Sequence, residues 1–117
     1  MERSAATAAR SSAALGGVLA ASDDAAGARR VLAAVVQGGY RDDHVAYSIA
    51  AAYAQLGDAR KAVQWLRSSA DTGFPCATWY ARDPLLDLLR RDAGFMQFMA
   101  ELTKREASAA ARYRTPQ

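Results

Sequence analysis

Residues 53–66 read YAQLGDARKAVQWL. Two apolar runs meet across Leu56-Gly57-Asp58 with almost no loop between them. After the turn, Ala62, Val63, Leu66 and Ala70 recur at helical spacing. Before it, Val45, Ala46, Ile49, Ala50 and Tyr53 do the same. Gly57 stands where the first helix stops, because glycine enters the left-handed conformation of a helix C-terminus without a Cβ clash. Asp58 is placed to cap the second helix, and Asp42 or Asp43 the first, each carboxylate accepting the free N–H groups of an opening turn. The stretch predicts an antiparallel helical hairpin.

Shifted upstream by 34 residues, the pattern returns. Ile49 maps to Leu15, Ala50 to Gly16, Tyr53 to Leu19, Ala62 to Ala28 and Leu66 to Leu32. Ser69/Val35 breaks the match of character. Asp23 replaces Gly57, which predicts a slightly different first turn. Gly16/Ala50 and Ala28/Ala62 are small where paired helices come closest. Two hairpins are therefore expected over about 9–38 and 43–72, joined by the GGYR of 38–41. Arg3 and Arg10 ahead of ALGGVLAA (14–21) also fit a short targeting segment. The match to the second hairpin favours a helix over 9–22.

After Gly73 the texture changes. FPCATWY (74–80) shows no period. RDPLLDLLRRD (82–92) opens on Asp83-Pro84, and proline at a first helical position needs no amide partner, so one short helix is expected. GFMQFMAELTKREASAAARYR (94–114) reads as a terminal amphipathic helix with Phe95, Phe98, Met99 and Leu102 inward. No strand pattern is present. The division is a flexible segment or helix extension at 1–8, units at 9–40 and 41–73, a capping segment at 74–114 and a tail at 115–117. The fold class is all-α, with about six helices.

The chain has 117 residues and 51% hydrophobic content, enough to bury one core. Its 15 basic and 12 acidic residues leave a net charge of +3. Most basic residues have an acid nearby, as where Asp23 and Asp24 precede Arg29 and Arg30, which reads as solvated helix faces rather than a phosphate-binding stripe. Lys104, Arg105, Arg112 and Arg114 on the last helix carry a weaker nucleic-acid alternative. Cys76 is the one cysteine, which excludes an intrachain disulfide and fits a reducing compartment, so a cytoplasmic location is expected. No apolar run approaches a membrane span.

The chain holds little that could do chemistry. His44 is the one histidine, and a metal site needs more nitrogen or sulfur ligands. Cys76 lacks a base and an orienting group. The aspartates at helix starts are explained by capping and dipole matching. No catalytic residue, cofactor, metal or small-molecule substrate is expected. Trp65, Phe74, Trp79 and Tyr80 are expected to cluster around the second hairpin and the capping segment.

A 34-residue helix–turn–helix period with Ala46, Ile49, Ala50, Tyr53, Gly57, Ala62 and Leu66 at its motif positions resembles the tetratricopeptide repeat (TPR) family. Ser69 stands at the usual alanine, Ala46 where a large aromatic is common, and Pro75 one residue late. FPCATWYARDPLLDLLRRDAGF (74–95) is similar to the closing segment of TPR regions in some bacterial multidomain regulators, among them serine/threonine protein kinases, adenylate cyclases and winged-helix transcription regulators. Trp79, Asp83, Pro84, Leu88, Arg90, Asp92 and Phe95 carry that match, with Ala93 in place of a proline.

The resemblance implies a non-catalytic protein–protein interaction or assembly module, or alternatively the C-terminal regulatory module of a larger signalling protein. It implies a partner groove on the first helix of each hairpin. That groove would present Arg10, Ala13, Gly17 and Ala20 from one hairpin and His44, Tyr47, Ser48, Ala51 and Gln55 from the other. Ala13, Gly17 and Ser48 stand where chaperone-binding TPR domains carry a lysine/asparagine carboxylate clamp, so that partner class is excluded. Leu15, Val18 and Leu19 are expected at an open end, where residues 5–35 take a protein partner or a second copy.

Overall fold

A computed structural model describes residues 2–114 and is all-helical among them. The elements are α1 (Glu2–Ala21), α2 (Ala25–Gly38), α3 (Asp43–Gln55), α4 (Ala59–Thr72), α5 (Ala77–Arg82), a 3-10 helix (Pro84–Leu89) and α6 (Ala93–Arg114). The expected tail at 115–117 lies outside the described residues.

The helices begin and end where side chains satisfy their free backbone groups. Asp24 Oδ1 accepts from the Gly27 N–H at 2.9 Å, Asp42 Oδ1 from Val45 at 2.7 Å, Asp58 Oδ1 from Lys61 at 3.3 Å and Asp92 Oδ2 from Phe95 at 2.9 Å. Asp24, Asp58 and Asp92 follow one another at 34-residue intervals, so the cap spacing continues into α6. The first turn is not the different turn expected from Asp23. The Asp24 and Asp58 N–H groups donate to Leu19 and Tyr53 carbonyls, both at 2.9 Å, and the Asp23 and Gly57 N–H groups to Ala20 and Ala54. That is one helix-ending motif built twice. Asp23 takes a φ of 64° where Gly57 takes 80°. Aspartate, with a short polar side chain, tolerates this left-handed conformation better than most residues.

α1 and α2 form one hairpin, α3 and α4 the other. α1, α3 and the 3-10 helix lie side by side, and α4 is backed by α6. The slab is 18 Å thick, the depth of two helix layers. Leu32, Ile49, Leu66, Tyr80, Leu86, Leu89 and Leu102 are fully buried in one continuous core. At the contact of α1 with α2, a β-carbon on Gly16 would stand 2.9 Å from Leu32 Cδ2, which explains the glycine.

The structure refines the sequence reading at three elements. α1 begins at Glu2, so the described part of 1–8 follows the helix-extension reading rather than the flexible one, because ERSAATA contains strong helix formers and no glycine or proline. The stretch 74–80, read as aperiodic, contributes residues 77–80 to α5 (Ala77–Arg82), which buries Ala77 and Tyr80. The leucine-rich segment is a 3-10 helix rather than an α-helix. Side chains three apart eclipse in that geometry. The four leucines accordingly split into a buried pair, Leu86 and Leu89, and an exposed pair, Leu85 and Leu88.

α4 and α6 are joined by two ion pairs. Arg67 Nη1 lies 2.6 Å from Glu101 Oε1, and Arg105 Nη1 lies 3.1 Å from Asp71 Oδ1. Each pair joins positions 34 residues apart.

Candidate functional site

A groove of about 340 Å³ runs between α1 and α3. Ala13 and Gly17 line it from α1, and Tyr47, Ser48, Ala51 and Gln55 from α3. Val18 also lines it from α1, and Leu85 of the 3-10 helix lines it as well. The small residues make the hollow: Gly17 has no neighbour within 4 Å of where a β-carbon would stand. No lining residue carries a charge.

The other expected groove residues lie elsewhere. Ala20 is buried in the core. Arg10 Nη2 donates to Asp42 Oδ2 at 2.8 Å, at the start of α3. His44 lines a second hollow of about 350 Å³ with Asp43, Tyr47, Ser48, Phe74 and Trp79. Tyr47 and Ser48 are common to both hollows. At the open end, Leu15 and Val18 are exposed and Leu19 is half-buried.

Aromatic packing holds the partition between the hollows. Tyr47 stacks on Tyr80 with centroids 5.6 Å apart, and Phe74 meets both rings edge-on. The Tyr80 hydroxyl donates to the Phe74 carbonyl and lies 3.1 Å from Ser69 Oγ, which itself donates to the Asp43 carbonyl. Burial pushes the Tyr80 phenol up from its ordinary pKa, with the Ser69 contact opposing. Trp65 is not part of this cluster. Its ring lies under the Arg41 guanidinium, 5.1 Å from the centroid.

Asp42, Asp43 and His44 bring three potential ligand atoms within 4.8 Å. The Asp42 oxygens are already engaged by the Val45 N–H, Arg10 and the Tyr40 hydroxyl. Burial pushes the Asp42 carboxyl up, but those three donors outweigh it and hold it below the usual carboxylate range. What remains for a metal is one carboxylate and an exposed imidazole, short of a coordination sphere. Cys76 is half-buried at the start of α5, and it is the one cysteine of the chain.

A third hollow, about 750 Å³, lies between α4 and α6 and is lined by Arg67, Lys104, Arg105 and Arg112 together with Asp71, Glu101 and Glu106. Arg67 and Arg105 are paired to acids across it, which dilutes the basic stripe of the nucleic-acid alternative. The side chain of Arg114 lies outside the described residues.

Leu85 and Trp79 were not among the expected groove residues. The signal for Leu85 was the three-residue leucine spacing, which separates an outward pair from an inward one. No helix among the described residues is long and apolar enough to cross a membrane. No family model, curated protein or solved structure matches the chain.

Proposed function

We propose that the chain is a TPR-like protein-interaction module of the cytoplasm, and that it engages a protein partner through the apolar groove between α1 and α3. The observation that carries this reading is the groove itself: uncharged, lined by small residues, and bordered by exposed Val18 and Leu85. The 34-residue recurrence of the turn hydrogen bonds supports the repeat interpretation. The closing segment's likeness to regulator TPR regions supports the alternative, a C-terminal regulatory module of a larger signalling protein.

Gly17→Trp tests the reading. Its side chain fills the hollow, and no atom lies within 4 Å of the new Cβ position. In extracts of source cells, the wild-type chain should migrate in an assembly larger than itself, and the variant should migrate apart from it. An assembly that survives Gly17→Trp, or a chain that migrates alone from the start, would overturn the proposal.

A further inference from the structure

α1 carries no charged side chain between Arg10 and Asp23. Among the described residues it packs chiefly against α2 and α3, and its remaining face is solvent-exposed at Leu15 (48%) and Val18 (60%). Val18 also lines the groove, as does Leu85, itself 46% exposed, and Leu88 lies on the same side of the 3-10 helix. Two large branched side chains thus stand beside a hollow lined by small ones, on the same helix.

We infer that the groove is occupied by α1 of a second copy of this chain, related by a two-fold axis near Gly17 and Val18. The inference rests on the groove being an interaction site. Three observations favour this occupant. First, a helix entering an uncharged groove leaves any charge it carries desolvated and unpaired. The 11–22 stretch of α1 meets that condition along its whole length. Second, an isologous contact must be complementary to itself. Val18 projects at the hollow lined by Ala14, Gly17 and Ala21, and exposed Leu15 precedes it by three residues on the same helix, so a two-fold rotation would set the projection of each copy against the hollow of the other. The hollow's 340 Å³ has room for branched aliphatic side chains. Third, a standard stable interface takes about 800 Å² from each partner. Leu85 and Leu88 extend the apolar surface beyond α1.

Purified chain, free of other proteins, is the material for the test. Light scattering coupled to gel filtration should give twice the 12.5 kDa chain mass at high micromolar concentration. Val18→Arg should return a single-chain mass with an unchanged helical circular-dichroism spectrum, because Val18 is exposed. In a Cys76→Ser background, Val18→Cys should form a disulfide-linked dimer under copper-phenanthroline oxidation. A wild-type chain that stays monomeric overturns the inference, as does a Val18→Arg variant that still dimerises or a dimer that fails to cross-link. If the pure chain is monomeric while Gly17→Trp still dissolves the assembly in extracts, the occupant is another protein and the interaction reading stands.

Discussion

Tyr47 and Tyr80 stack with their rings 17° from parallel, yet only the Tyr80 hydroxyl has a hydrogen-bond partner. The Tyr47 hydroxyl is buried without one among the described residues. The same substitution should therefore act differently at the two sites. Tyr80→Phe leaves the Phe74 carbonyl without its donor and should cost about 1–3 kcal/mol. Tyr47→Phe removes an unsatisfied group and should be neutral or stabilising. Urea unfolding of both variants makes the comparison, and equal losses would contradict it.

Neighbouring glycines in α1 should respond with different sign. Gly17→Ala places a methyl in open space and removes the helix penalty of glycine, raising stability by about 0.5–1 kcal/mol. Gly16→Ala presses a methyl against Leu32 in the core. It should fall about 1–3 kcal/mol below Gly17→Ala, the usual range for overpacking. Thermal and denaturant unfolding at one pH measure the gap.

The two hairpin turns share one backbone and differ in the residue that holds it. Asp23→Gly should be stabilising by up to about 1 kcal/mol, because the left-handed φ of 64° costs glycine nothing. Gly57→Ala should lose about 1 kcal/mol at a φ of 80°. A gain from Gly57→Ala would mean that the second turn does not take this conformation.

Acid should weaken the α1–α3 contact through Asp42. Its carboxyl is held below the ordinary range in the folded chain, so its stabilisation is present above the ordinary carboxylate value of about 3.9 and is lost as pH falls through the depressed one. Asp42→Asn keeps a good cap for α3 but cannot titrate. Between neutral pH and about pH 3, the variant's urea midpoint should fall less than that of the wild type. Equal falls would remove Asp42 from the acid response.

Much of this architecture was legible in the residues. Helical spacing around Leu56-Gly57-Asp58 and its copy around Asp23 located α1 to α4, since long amphipathic helices repeat their period several times. α5 was not legible, because six residues are too few to display a 3.6-residue period, and Tyr80 is buried by contacts from three other elements. The 3-10 geometry of Pro84–Leu89 was equally hidden: four leucines in one short run fit either helix until the partner surface of α3 selects a face. Six of the groove residues could be placed from the hairpin register alone, whereas Leu85 reaches the groove by tertiary packing. Arg10 and His44 were misplaced because helix faces give direction but not where a long or terminal side chain finds its partner.

The ion pairs between α4 and α6 have an ordering effect. Along α4 the cation Arg67 comes first and the anion Asp71 second; along α6 the anion Glu101 comes first and the cation Arg105 second. A duplicate of α4 laid where α6 lies would set arginine against arginine and aspartate against aspartate. The α3–α4 hairpin is thus written to be followed by something unlike itself, and α6 serves as its punctuation: the sign pattern marks where one unit yields to a different one.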